Sequence, residues 1–427
     1  MALNQGQDTA AQAVFQFLMS DDKEFCLSGP AGVGKTYMLQ HIMKNVMKEY
    51  EDACTLMGIT QKIFSIDLTA TTNKAAQVLE TSTGFPAQTI HSYLSLRVYD
   101  DYTNGKSKVN KTAAWKVHSG VLIFIDEASM VDTALHKLIL EGTDKTCKIV
   151  YVGDHCQMAP VFEQISPIYR QPKHFVELLE PVRNAEQPAL MNLCNQLRQT
   201  VQDGVFRPIL EVPGVIDFID DAGLQHILDT QYTDEDIDSR VLCYTNSRVH
   251  EYNEYIRDIR GYGDKFTSGE LVISNSAFLF GGKPMLSVEQ EVRIFSVEST
   301  VYQKEIDDSN GGVFLDVYDV RLFTGGGPVV SIPANRVHYK ELTSYYKREK
   351  NWNRFYHLKN NYPDLRPKDA ATVYKAQGST YNSVILDLTN IGSCNQADQV
   401  ARMLYVGASR PRNHIYLYGQ LPPRYRG

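Results

Sequence analysis

Nowhere does the sequence string together the roughly 20 apolar residues that a membrane-spanning helix needs; runs such as 121–125 stop after a handful. That excludes a helical membrane protein. Positive charge is also scarce, with 43 Lys and Arg against 50 Asp and Glu and a formal charge of −7. A polyanionic partner must then be held by a local basic patch and not by the overall field. The seven cysteines are an odd number with no C-x-x-C pair, which argues against a disulfide framework and a zinc knuckle; they read as reduced core residues. No repeat of roughly 20–50 residues and no low-complexity tract is present, which disfavours a solenoid or a propeller. Residues 1–5 lack the basic flank and apolar segment of a secretory signal, so the expectation is a chain that stays in the cytoplasm where it is made.

What remains is the composition of an ordinary globular protein, 43% hydrophobic and 22% charged over 427 residues. At about 150 residues per domain this predicts two or three domains. Short apolar runs at 25–28, 64–68, 121–125 and 149–152 alternate with helical stretches, the pattern of a parallel sheet covered on both faces. A similar set returns at 241–244, 384–388 and 415–418, predicting a second α/β sheet and two doubly wound domains. Between them lie two different patterns. Leu94, Leu96 and Val98 alternate with polar residues before Asn104-Gly105, the strongest short-range hairpin signal. Residues 275–363 are rich in short strand-like runs and glycine turns, including Asn310-Gly311-Gly312 and Gly325-Gly326-Gly327, which predicts a small all-β insertion.

Chemistry begins at Gly29-Pro30-Ala31-Gly32-Val33-Gly34-Lys35-Thr36, which fills every fixed position of a phosphate-binding loop between an apolar strand and a helix-compatible run over 37–50. Backbone amides converge on phosphate there, Lys35 reaches the β and γ phosphates, and the Thr36 hydroxyl ligates Mg²⁺. The apolar run 121–125 ends on Asp126-Glu127, two carboxylates at the sheet edge where ligands of open α/β folds bind. Asp126 suits Mg²⁺ and Glu127 suits deprotonation of an attacking water. Gln157 follows the next strand, placed to sense a γ-phosphate. His155-Cys156 has no second pair at ligand spacing, which argues against zinc.

Taken in order, Gln7, the phosphate loop, Thr69-Ala-Thr-Thr-Asn-Lys-Ala-Ala76, Thr89-Ile-His-Ser92, Asp126-Glu-Ala-Ser129, Gly153-Asp-x-x-Gln-Met-x-Pro160, Glu180-x-x-Arg183, Ala371-Thr-x-Tyr-Lys-Ala-Gln-Gly378 and Leu404-Tyr-Val-Gly-Ala-Ser-Arg410 resemble the motifs of superfamily one helicases. The likeness is to the 5′→3′, RecD-like branch and its phage Dda-type members, and it spans nearly the whole chain. It implies two RecA-like P-loop NTPase domains, residues 1–93 with 113–172 and residues 173–274 with 364–427. A β-hairpin wedge over 94–112 and an SH3-like all-β domain over 275–363 would be inserted in them. ATP and Mg²⁺ are the implied cofactors. Gln7 would read the adenine, Gly378 would lie at the nucleotide, and Arg183 and Arg410 would reach the γ-phosphate.

The same resemblance puts Thr71, Asn73, Lys74, Thr89, His91 and Ser92, then Thr372, Tyr374 and Lys375, on the DNA backbone. Such hydroxyls, amides and ammonium groups suit contacts that carry no sequence information. Tyr374 departs from the histidine of many relatives. Residues 336–375 hold ten basic side chains against four acidic ones, interleaved with aromatics. Two readings of that stretch stand side by side: a stacking track for bases, or an aromatic anchor for the inserted domain. Tyr99 and Tyr102 are the hairpin residues that would split a base pair. The expected protein is a monomeric 5′→3′ helicase of phage type, acting on single-stranded and fork DNA in a host cytoplasm during replication or recombination. A single-strand-binding protein or replisome component is an expected partner, and a protein-displacing translocase or a loading factor is the alternative.

Overall fold

A computed structural model describes residues 3–101, 106–160, 163–180, 187–281, 283–307, 312–323 and 327–426, with side chains at all of these except 98–101, 106–108, 283–284 and 307. Two compact units result. The first comprises Met1–Arg97, Lys111–Phe218 and Ala376–Gly427, the second Val98–Asn110 and Ile219–Lys375.

In the first unit, helix α1 (Gln5–Met19) starts from a capping box in which Asn4 and Gln7 bond reciprocally. It leads into β1 (Glu24–Ser28), β2 (Ser65–Ala70) and β3 (Ala87–Thr89). The chain then passes through the paired strands β4 (Leu96–Asp101) and β5 (Lys106–Lys111), of which Val98–Asn110 belongs to the second unit; the hairpin tip expected around Tyr102, Asn104 and Gly105 lies outside the described residues. Next come β6 (Val121–Asp126), β7 (Lys148–Gly153) and β8 (Phe175–Glu177). Strands β3-β2-β6-β7-β1-β8 form one sheet in that order, and every pairing is parallel. Successive side chains point to opposite faces. Leu122 and Phe124 therefore enter a core with α1 and the helices after β1, while Ile123 and Ile125 enter a second core on the other face. The apolar runs read from the sequence are these strands, shifted by a residue or two at their ends.

The helix expected over 37–50 is not continuous. Helix α2 (Lys35–His41) runs into one π-helical turn, Ile42–Val46, before α3 (Met47–Met57). Ile42 and Val46 are both buried there. Elsewhere in this unit Tyr381–Asp387 pairs in parallel with Pro411–Tyr418, joined through the helix Ala397–Ala408.

The second unit holds a parallel pair, Ser239–Cys243 with Ala370–Thr372, and an antiparallel set in which Leu271–Ser274 lies between Glu291–Arg293 and Leu365–Pro367. A further antiparallel sheet is built on the nine-residue strand Val313–Arg321. The expectation of an all-β insertion over 275–363 is corrected here. Helices Arg336–Arg348 and Trp352–Asn361 occupy its last third, capped by Asn335 and Asn351. Neither segment contains Gly or Pro, the residues that break helices, and asparagine side chains at both starts satisfy orphan amides. Tyr346, Tyr356, Leu358 and Tyr362 of this stretch are buried. The anchoring role expected of its aromatics holds for these residues. Among the described residues no helix is long and apolar enough to cross a membrane.

Candidate functional site

The phosphate loop turns tightly between β1 and α2. Gly32 and Gly34 sit at φ 85° and 81°, the left-handed region that glycine enters without strain. At Gly29 an added Cβ would meet the Leu178 carbonyl at 2.6 Å, so only glycine fits. Lys35 Nζ donates to the carbonyls of Gly29 (2.7 Å) and Pro30 (2.9 Å). Gln7, expected at the adenine, is buried and its Nε2 donates to the Val33 carbonyl at 3.4 Å. The α1 cap is thereby tied to the loop. Pro30, Ala31, Gly32 and Val33 line a cleft of about 610 Å³ whose other walls include Gln187, Asn195, Thr380, Ser409 and Arg412.

The register of the parallel sheet assembles the acidic edge. Ala70 stands beside Thr89 on one side and Asp126 on the other, so three strand ends that are far apart in the chain share one rim. Asp126 Oδ1 accepts from the Glu127 amide at 2.9 Å. Burial pushes the Asp126 carboxyl up to about 6, with the Glu127 carboxylate adding to the rise and Lys35 opposing it. Glu127 itself has φ 52°, unusual for a residue with a side chain. Its Oε2 accepts from Gln377 Nε2 at 3.3 Å, which also donates to Ser129 Oγ at 3.0 Å. Gly378, at φ 74°, faces the same carboxylate, since a Cβ there would stand 3.7 Å from Glu127 Oε1.

A sign can be attached to the Asp126 shift. A carboxyl raised in the folded state stabilises the fold below its unfolded value of 3.8, and that contribution is lost as pH rises through about 6. Asp126→Asn is therefore expected to raise the thermal midpoint at pH 8, in chelator, by a few degrees, with the gain shrinking towards pH 5. A pH-independent difference would refute the burial assignment.

Beyond β7 a buried polar cluster holds the segment carrying Gln157. Asp154 is fully buried and accepts from Tyr405 OH and from Arg198 Nη2, while Arg198 also pairs with Glu177. Arg402 Nη1 donates to the carbonyls of His155 (2.8 Å) and Gln157 (2.6 Å). Gln157 is buried, and its Oε1 has no partner among the described residues. Candidate ligand atoms of Asp154, His155 and Cys156 lie within 4.8 Å of one another. The aspartate is already engaged, however, and burial pushes the Cys156 thiol up to about 12, away from the thiolate that a metal would need.

The arginines fall differently. Arg183 lies outside the described residues. Arg410 is buried, and its guanidinium donates to the Val406 carbonyl (3.0 Å), the Ser379 carbonyl (3.2 Å) and Ser409 Oγ (2.7 Å). Arg412, not Arg410, is on the cleft wall.

Of the residues expected on DNA, Thr71 donates to the Glu127 carbonyl at 3.1 Å. Asn73 and Lys74 open helix Asn73–Thr83, and Thr89 caps the turn holding His91 and Ser92. Burial holds the His91 imidazole below its usual value. In the second unit Thr372 ends its strand, Tyr374 follows, and Lys375 Nζ donates to Asn275 and to Glu289 Oε1, the latter at 2.8 Å. The Tyr99 side chain and Tyr102 are outside the described residues. Sequence reasoning misses Arg198, Arg402, Tyr405 and Gln377 as site-building residues. Tyr405 and Gln377 stand inside the motifs named above, the one usable signal, whereas the two arginines look like ordinary helix-face charges.

Two family models match the chain: an AAA domain over residues 2–208 and a UvrD-like helicase C-terminal domain over residues 369–418. The ATP-dependent DNA helicase dda of Enterobacteria phage T4 is 24% identical, covering 97% of this chain and 98% of that one. A solved structure described as the basis for DNA unwinding at forked dsDNA by two coordinating Pif1 helicases has the same fold at 17% identity. It covers 99% of this chain and 93% of that one, with a TM-score of 0.52. Bacteroides Pif1 bound to ssDNA superposes with a TM-score of 0.50 at 16% identity, covering 99% and 93%. The fold and the phosphate-loop site define a P-loop nucleoside triphosphatase with RecA-like domains. Within that class the chain is similar over nearly its whole length to the dda helicase of phage T4, and it shares the fold of Pif1 helicases.

Proposed function

We propose that this protein is an ATP-driven 5′→3′ DNA helicase that moves along single-stranded DNA and opens duplex at a fork, in phage replication or recombination. The observation that carries it is the bond from Gln377 to Glu127. It ties the carboxylate beside the phosphate loop to the segment whose preceding residues, Thr372, Tyr374 and Lys375, are assigned to the strand. Hydrolysis and strand grip thereby share one short piece of chain.

In this reading the P-loop amides and Lys35 hold the nucleotide phosphates, and Lys35 exchanges its carbonyl partners for phosphate oxygens. Gln7 positions the adenine end of the loop through Val33. Glu127 takes a proton from the attacking water, held in place by Gln377. Gln157 donates its side-chain amide N–H to the γ-phosphate, and Arg402, which donates to the Gln157 carbonyl, carries the loss of that phosphate onward. Arg183, Arg410 and Arg412 are the candidates for neutralising charge on the transferred group. Thr36 and Asp126 are a hard-oxygen pair, and a carboxylate raised by burial fits a bound cation that would restore its charge. Mg²⁺, when bound there, would neutralise phosphate charge.

The test is ATP turnover with and without a single-stranded oligonucleotide, followed by unwinding of duplexes carrying a 5′ or a 3′ tail. Stimulation of at least about tenfold, with unwinding from the 5′ tail alone, is expected. Hydrolysis indifferent to DNA would overturn the reading.

A further inference from the structure

The second unit contains a cavity of about 360 Å³, within the size range of small-molecule sites, about 300–1,000 Å³, and none of the residues assigned above lines it. Its wall is cationic. Arg336, His250, Lys340 and Arg366 face it, with Asp364 as the single acid among the lining residues. Arg366 holds that acid with two nitrogens, at 3.1 and 3.0 Å, so Arg336 and Lys340 have no lining carboxylate of their own.

Arg336 is the telling residue. It is half-buried, with its guanidinium 4.6 Å over the Phe266 ring. Among the described residues it makes no hydrogen bond and no ion pair. Its neighbours are treated otherwise: Arg257 is paired with Glu270 at 2.9 Å and Arg260 with Asp369 at 2.7 Å. A guanidinium withdrawn from water without an anion is costly, and the usual remedy is a bound one. Burial, and then the adjacent Arg257, hold Arg336 below its ordinary proton affinity. Burial followed by the charges of Lys340, Arg336 and Arg366 does the same to His250, even with Glu254 pulling the other way. Burial is the larger cause of both shifts, and neighbouring cations add to it. Phe266 and Tyr339 add aromatic surface to its wall.

We propose that this cavity seats a phosphate group of the single strand, with Arg336 as its anchor and Lys340 as a second contact. The inference rests on the helicase reading and extends the strand's track beyond Thr372 and Lys375, since the wall residue Arg366 belongs to the same stretch of chain. Arginine suits the task because its planar fork grips phosphate bidentately and stacks on an aromatic face at once.

The experiment is fluorescence anisotropy of a labelled dT12 oligonucleotide over a salt series, with the parent protein, Arg336→Ala, Arg336→Lys and Lys340→Ala. Circular dichroism and the thermal midpoint serve as checks of folding. Arg336→Ala is expected to weaken binding about tenfold and to lower the slope of log K against log salt by about one. Arg336→Lys should restore the slope but only part of the affinity. Lys340 is exposed, so Lys340→Ala keeps the test valid if the Arg336 variants do not fold; a several-fold loss with a reduced slope is expected. Unchanged affinity and slope in both alanine variants would overturn this site while leaving the helicase reading intact. Failure of the parent protein to bind dT12 would overturn both. A dTMP titration forms the last arm: dTMP binding that disappears in Arg336→Ala while dT12 binding persists would make the ligand a free nucleotide and overturn the strand assignment.

Discussion

Glu127→Gln is expected to lower ATP turnover by about 10²–10⁴-fold, the range that a general base contributes, while nucleotide still binds. The substitution keeps the shape of the side chain and removes only its capacity to take a proton. Gln377, which now donates to the carboxylate at 3.3 Å, finds an amide oxygen in the same place, so the local structure has little reason to shift. Binding of a fluorescent ADP analogue and single-turnover hydrolysis separate the two effects. If affinity falls in step with turnover, Glu127 organises the pocket and does not act on water.

Lys35→Ala is expected to cost about 10²–10³-fold in turnover through lost charge stabilisation, and here nucleotide affinity should fall as well. The ammonium has two jobs. Among the described contacts it satisfies the carbonyls of Gly29 and Pro30, and with nucleotide it moves to phosphate. Truncation therefore leaves two loop carbonyls unpaired, at a cost of about 1–3 kcal/mol each where water cannot replace the donor. A lowered thermal midpoint should accompany the loss of activity. Retention of full turnover would refute the assignment of the loop.

Part of this site is legible in the amino-acid sequence because its logic is local. A phosphate loop needs its glycines, lysine and hydroxyl within eight residues, and a strand that ends on Asp126-Glu127 announces a sheet edge. The register that sets Ala70 between Thr89 and Asp126 is implicit in three apolar runs. Arg402 and Tyr405 are not legible as parts of the site. Their partners lie 245 to 251 residues away in the chain, and nothing in a helical charge pattern points that far. Arg410 shows the converse. A motif match directs it to phosphate, whereas the fold surrounds its guanidinium with carbonyls and Ser409. The helices at 336–361 read as part of a β-rich insertion because the glycine turns before them dominate the pattern. Capping by Asn335 and Asn351 is the local signal that marks them as helices.

Glu127 is the residue in this site that the backbone accommodates least willingly. Its left-handed φ of 52° carries a strain of about 1–2 kcal/mol that glycine would not feel and asparagine would feel less. Thermal endurance and turnover therefore pull in opposite directions at this one position. A lineage or a laboratory library selected for heat resistance alone would drift here toward glycine or asparagine, and would reach a sturdier molecule that binds ATP and no longer spends it.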